Sequence, residues 1–268
     1  MIRLIALDLD GTLLGPTFQV GDTDRDAVVA ARDRGVLIVL NTARWYGIAS
    51  RTARRLALST PLICHNGVHV QYPDGGEELL HLRIPAAAAR EIAAFCDDGG
   101  FETYTTVGGT TYMRTPYEAQ IDPARLPSDM VVEHDQAARV TADVTGFVVF
   151  GEEAVPAIVD AFAARFRDTV AFPEGISERG TPYLTITATG ADKGTALTLV
   201  CERLGVDPKD ALAIGDATPD LAMFAVAGTS VAMGNGSDDV KAAADAVAPT
   251  HDESGVAWAL RRYVLGES

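Results

Sequence analysis

The sequence predicts an α/β fold, a Rossmann-like doubly wound parallel sheet interrupted by an inserted α+β domain. Three observations carry this. Short apolar runs recur at Ile2–Leu7, where only Arg3 is polar, and at Val36–Leu40, Ala211–Ile214 and Val231–Met233, the mark of parallel strands buried on both faces. Helical patterns separate them in a βαβ rhythm. Between residues 82 and 187 the rhythm changes to hairpins with two helices, an α+β pattern. The core is therefore assigned to 1–81 and 188–268, and the insert to 82–187.

The first strand sets the chemistry. Ile2–Leu7 runs directly into Asp8-Leu9-Asp10-Gly11-Thr12-Leu13-Leu14. Ligands of open α/β sheets sit at the carboxyl ends of strands. Asp8 and Asp10 are two residues apart, so in an extended backbone both carboxylates lean the same way. Like charges that close are costly unless a cation or proton neutralises them. A hard divalent cation with oxygen ligands, Mg²⁺ above all, meets that need. The plainer alternative is that Asp10-Gly11 makes a tight turn and Asp8 caps a neighbour.

A helix follows from Gly21-Asp22 to Arg34, stopped by Gly35. The strand Val36–Leu40 ends in Asn41-Thr42-Ala43-Arg44. Thr42 offers a hydroxyl, and the next helix offers N–H groups that suit an anion. Thr42 reads equally as a helix N-cap. The helix from Trp45 to Leu58 carries Arg51, Arg54 and Arg55, a solvated face. Pro61–Cys64 is a strand, followed by His65-Asn66-Gly67 as a turn. Val68–Tyr72 and Glu78–Leu82 flank Pro73-Asp74-Gly75-Gly76 as a hairpin. His65 and His69 lack a third ligand nearby, so no metal role is assigned to them.

In the insert, Pro85–Asp98 is a helix closed by Gly99-Gly100, and Phe101–Thr106 with Thr110–Met113 forms a second hairpin. Pro116–Pro127 is irregular. Val144–Phe150 is a strand and Glu152–Phe166 a helix with Pro156 in its first turn. Asp168–Phe172 and Tyr183–Ala188 read as paired strands. The core then resumes. Asp192-Lys193-Gly194 opens a helix to Leu204, stopped by Gly205. A lysine there opposes the helix dipole, so a structural reason for it is weak. Ala211–Ile214 ends in Gly215-Asp216-Ala217-Thr218-Pro219-Asp220, once more a strand ending in carboxylates. Asp220 could equally be a favourable charge at a helix start. Val231–Met233 with a Gly234-Asn235-Gly236 turn, and helices from Asp238 and Ser254, complete the pattern.

Composition excludes several classes. The net charge of −15 argues against nucleic acid or an anionic membrane as partner. No apolar stretch approaches the length of a membrane span, and the N-terminus does not read as a signal peptide. Cys64, Cys96 and Cys201 are scattered, without C-x-x-C, which fits a reducing cytosol rather than a disulfide framework or zinc site. A cytoplasmic location is expected, and the oligomeric state is left open.

Asp8-Leu9-Asp10-Gly11-Thr12-Leu13-Leu14 after an apolar strand resembles the signature of the haloacid dehalogenase (HAD) superfamily. Thr42-Ala43-Arg44 is similar to its Thr-Gly-Arg, Asn66-Gly67 to its Asn-Gly turn, and Gly215 through Val256 to the C-terminal third of Cof-type phosphatases. The resemblance covers residues 1–81 and 188–268. It implies the HAD fold, with the insert as a C2-type cap that selects the substrate. It implies Asp8 as nucleophile, Asp10 as general acid/base, and Lys193 paired with Asp8 and the phosphoryl oxygens. It implies Mg²⁺ on Asp8, Asp216 and the Asp10 carbonyl, with Asp220 as the second acid of that motif, in the outer metal shell. Thr42, the backbone at Ala43, Arg44 and Asn66 would face the phosphate, although Arg44 could also be merely solvated. Pro219 stands where relatives commonly have Asn, which removes one side-chain oxygen from the outer shell.

The function so implied is Mg²⁺-dependent hydrolysis of a small phosphomonoester, a sugar phosphate or similar metabolite, through an aspartyl-phosphate. Two alternatives stand beside it: a phosphomutase of the phosphomannomutase type, and a non-catalytic phosphate-binding protein. A receiver-type signalling domain would not need the insert or a second Asp placed for acid/base work. Within the insert, Tyr104, Tyr112, Arg114 and Tyr183 are the first places to seek specificity.

Overall fold

The computed structural model describes the whole chain except residues 16, 17, 123, 125, 178, 179, 267 and 268. It divides into two compact units, Met1–Leu80 with Ala191–Ser268, and His81–Gly190. The chain begins with β1 (Leu4–Leu7), α1 (Asp22–Asp33), β2 (Leu37–Leu40) and α2 (Tyr46–Arg55). A small three-stranded sheet follows, β3 (Leu62–Cys64), β4 (His69–Gln71) and β5 (Glu78–His81).

The second unit runs through α3 (Ala86–Gly99), β6 (Glu102–Val107), β7 (Thr110–Arg114), β8 (Met130–Val132), α4 (Gln136–Arg139) and β9 (Val144–Phe150). It continues with α5 (Ala154–Ile158), a π-helical turn at Val159–Ala163, α6 (Ala164–Phe166), β10 (Val170–Ala171), β11 (Glu174–Ile176) and β12 (Pro182–Ala188). Its strands lie in the order β10-β12-β9-β6-β7-β8, with β11 also on β12. One face is apolar: Phe147, Val149, Leu184 and Ile186 pack with Ala89 and Ile92 of α3 and Ile158 of α5. The other face carries a row of rings, Tyr104 to Phe150 at 5.9 Å and Phe150 to Tyr183 at 5.8 Å.

This separates the four residues singled out for specificity. Tyr104 and Tyr183 share the ring-bearing face. Tyr104 pairs with Met113, so the neighbouring Tyr112 points to the opposite face, where it packs on the apolar cluster. Arg114 is spent on the end of α3, donating to the Asp97 carbonyl at 2.7 Å. Strand β8 and helix α4 were not expected. Both are too short to show a period, and β8 exists only through parallel pairing with β7. Pro123 and Arg125 of the irregular stretch lie outside the described residues.

The chain then returns to the first unit with α7 (Lys193–Leu204), β13 (Ala211–Gly215), α8 (Leu221–Val226), β14 (Thr229–Ala232), α9 (Asp238–Ala243), β15 (Ala246–Val247) and α10 (Gly255–Leu260). The main sheet has the order β15-β14-β13-β1-β2, and every pairing is parallel. Strand β1 has no polar residue because both faces are covered. Ile5 and Leu7 enter one core, and Leu4 and Ala6 the other. The order reverses at β1, so the carboxyl ends of β1, β2 and β13 meet at the switch point where such sheets bind ligands.

Candidate active site

Each of those three strands delivers polar groups at its end. Asp8 follows β1, and its N–H donates to the Ile214 carbonyl at 3.0 Å, which locks the turn to β13. Asp8 is 5% exposed and Lys193 3%. The Lys193 ammonium donates to Asp8 Oδ1 at 2.6 Å and to Asp220 Oδ1 at 2.6 Å. Asp220 Oδ2 accepts the N–H groups of Asp216 and Ala217 at 3.0 and 2.9 Å, so this carboxylate organises the loop that presents Asp216. Asp216 Oδ1 accepts the Thr12 hydroxyl at 2.7 Å.

Two glycines permit this crowding. Gly11 has φ +75°, and a Cβ there would run into the Asp216 carboxylate. A Cβ on Gly215 would run into the Asp220 carboxyl group. Lys193 is placed by its helix: Asp192 caps α7 through Gly194 and Thr195. The Asn41 amide at the end of β2 donates to the Lys193 carbonyl at 3.0 Å.

The electrostatics ask for a cation. Oxygens of Asp8, Asp216 and Asp220 lie within 4.8 Å of one another. Three carboxylates against one ammonium leave two negative charges in a buried space. Burial pushes the Asp8 carboxyl up, Lys193 pulls it back, and Asp220 pushes it up again. Burial, then the charges of Asp8 and Asp220, push Asp216 well above the usual carboxylate range. For Lys193 burial works downward, but Asp220 and Asp8 outweigh it and the net direction is up. The donor set is all oxygen, which suits a hard divalent ion.

The turn after β3, which packs at Gly67 against Asp192 beside Lys193, is unusual. His65, Asn66 and Gly67 all have positive φ, at 47°, 55° and 108°. Non-glycine residues pay for that conformation, and it gathers at functional sites. The turn is tied to the end of β2: the N–H of Asn66 donates to the Thr42 carbonyl at 3.1 Å, and that of His65 to the Arg44 carbonyl at 3.0 Å. Asn66 is buried, and its Oδ1 has no hydrogen-bond partner among the described residues. The Thr42 hydroxyl accepts the Arg44 N–H at 3.1 Å, which leaves its own proton to donate. Arg44 is not solvated: its guanidinium takes both oxygens of Asp10, with Nε to Oδ2 at 2.6 Å and Nη2 to Oδ1. Sequence reasoning missed Thr12, Asn41 and Asn235. Asn235, whose amide donates to the Gly11 carbonyl at 2.8 Å, lay in plain view between two glycines.

Among the described residues, no helix is long and apolar enough to cross a membrane. The family model described as haloacid dehalogenase-like hydrolase matches residues 5–260. The chain is 30% identical to the 5-amino-6-(5-phospho-D-ribitylamino)uracil phosphatase YitU of Bacillus subtilis, covering 97% of each. It is 29% identical to a second such phosphatase of the same organism, YcsE, covering 98% of this chain and 96% of the other. Its fold matches a haloacid dehalogenase-like hydrolase from Bacteroides thetaiotaomicron with a TM-score of 0.81 and 25% identity, covering 98% and 99% of the two chains.

Proposed function

The chain belongs to the haloacid dehalogenase-like hydrolases, and we propose that it is a Mg²⁺-dependent phosphatase that works through an aspartyl-phosphate on Asp8. One observation carries the reading. At the switch point, Asp8 accepts from Lys193 at 2.6 Å while Asp216 stands close enough to share a cation with it.

Asp8 Oδ attacks phosphorus, and the bond to the ester oxygen breaks. Asp10, in its protonated form, gives its proton to the departing alkoxide. In the second half, the Asp10 carboxylate takes a proton from water, the water oxygen attacks phosphorus, and the bond to Asp8 breaks to release inorganic phosphate. Lys193, the Thr42 hydroxyl, the backbone at Ala43 and the Asn66 side chain hold the phosphoryl oxygens, since such transfers depend mainly on positioning and electrostatics. Asp8, Asp216 and the Asp10 carbonyl would hold Mg²⁺, which would supply positive charge to offset the phosphoryl oxygens. Asp220 serves from outside by fixing Lys193 and the Asp216 loop. A bound Mg²⁺ would neutralise the two negative charges that Lys193 leaves uncompensated, so the site itself would no longer add to the net charge of −15 in repelling an anionic substrate.

The substrate is a small phosphomonoester with a polyol character, a sugar phosphate or a relative of one. Whole-length similarity to two enzymes named for a phosphoribityl compound supports that class. The test is phosphate release from a panel of sugar phosphates and 5-amino-6-(5-phospho-D-ribitylamino)uracil, with Mg²⁺ or EDTA, for wild type and Asp8→Asn. Release that needs Mg²⁺ and vanishes in Asp8→Asn is expected. Release that persists in Asp8→Asn, or none from any ester, overturns the reading.

A further inference from the structure

The contacts of Arg44 point to a role other than phosphate binding. Its guanidinium meets the Asp10 carboxylate edge to edge, with Nε and Nη2 each on a different oxygen. Such a two-point contact fixes both the distance and the plane of a carboxylate, which a single point charge does not. Arg44 is itself held from three sides. Its backbone N–H donates to Thr42 Oγ1, and its carbonyl accepts from His65. Its guanidinium carbon lies 4.8 Å from the centre of the Phe18 ring. Phe18 is 48% exposed and adopts φ +55°, an uncommon conformation for a residue other than glycine. Facing Arg44 gives that strained, exposed ring a purpose.

We propose that Arg44 is the positioning residue of Asp10, and that Phe18 braces it. Asp10 follows the end of β1 by three residues and is 39% exposed in its side chain, so the strand does not orient its carboxylate. The fork of Arg44 does. The sequence placed Arg44 among the groups that face the phosphate. The geometry instead routes its effect through Asp10 in its ionised form, the base that must meet the attacking water within hydrogen-bond reach. The inference rests on the phosphatase reading of the site.

The test is a double-mutant cycle between Arg44→Ala and Asp10→Asn, with Arg44→Lys and Phe18→Ala beside it, each checked for folding by circular dichroism. Arg44→Ala is expected to lower kcat by roughly 10- to 100-fold, the cost of a misplaced catalytic group, with KM nearly unchanged. In the Asp10→Asn background the same substitution should cost less than about twofold, because its target is gone. Guanidinium ion added to Arg44→Ala should restore part of the rate, and Arg44→Lys should restore little of it, since an ammonium lacks the fork. Phe18→Ala should cost about two- to fivefold, and nothing further once Arg44 is Ala. Two results overturn the proposal. One is a rise in KM and in the inhibition constant of inorganic phosphate with kcat intact, which makes Arg44 a phosphate ligand. The other is multiplicative losses in the cycle. Wild-type protein that releases no phosphate from any ester instead overturns the phosphatase reading and this inference with it.

Discussion

Lys193 Nζ lies 2.6 Å from Asp8 Oδ1 although 185 residues separate them in the chain. The contact joins the two halves of the first unit and spans the whole second unit in sequence. Lys193 donates to Asp220 at the same distance, so one ammonium serves two buried carboxylates. Replacing it by an apolar side chain of similar length leaves both acids without their counter-charge. Lys193→Met is expected to lower kcat by on the order of 10²–10³. It should also lower unfolding free energy by about 3 kcal/mol, the cost of breaking a buried pair from one side. Kinetics and urea unfolding of the same protein check both.

Metal removal and pH should interact. Burial raises the Asp8 carboxyl from 3.8 to about 7, against the pull of Lys193, and raises Asp216 in the same direction. A carboxyl whose folded pKa lies above its unfolded value favours the folded state when protonated. That contribution is fully present below about pH 4 and is lost as pH rises through about 7. The metal-free protein should therefore lose Tm between about pH 4 and about pH 7. Excess Mg²⁺ should flatten the slope, because a bound cation stabilises the ionised carboxylates. Parallel Tm profiles with Mg²⁺ and with EDTA would count against a shared cation.

Gly11 tests the crowding. Its φ of +75° disfavours any side chain, and its missing Cβ makes room for the Asp216 carboxylate. Gly11→Ala is expected to displace Asp216, lower kcat by about 10²-fold and cost roughly 1–2 kcal/mol of stability. Titration calorimetry with Mg²⁺ should show weaker binding. Unchanged Mg²⁺ affinity would sink the assignment of Asp216 to the metal.

In the second unit, Gln136 is fully buried at the start of α4 and ties that helix to strands β6 and β7. Its amide donates to the Thr103 and Tyr112 carbonyls at 2.9 and 3.2 Å, and its carbonyl accepts the Thr105 hydroxyl. Gln136→Leu should strand those groups and cost about 2–3 kcal/mol. Proteolysis within residues 81–190, compared with the rest of the chain, will show whether the loss is confined to that unit.

The sequence by itself determined the parallel sheet, because strands covered on both faces must be apolar throughout, and Leu4–Leu7 and Ala211–Ile214 read so. It also determined which strand ends carry acids, since Asp8, Asp10, Asp216 and Asp220 interrupt those runs abruptly. It did not determine partners. Asn41 looked like one more polar residue at a strand end, and its hold on Lys193 appears only when α7 packs beside β2. Arg44 looked like a charge for the phosphate, and only the folded turn after β1 brings Asp10 between its two donors. Strand β8 has no pattern of its own and exists through its pairing with β7. Burial periodicity is local and is written in neighbouring residues. A hydrogen-bond partner a hundred residues away is fixed by tertiary packing, where a side chain finds the group that best repays its desolvation.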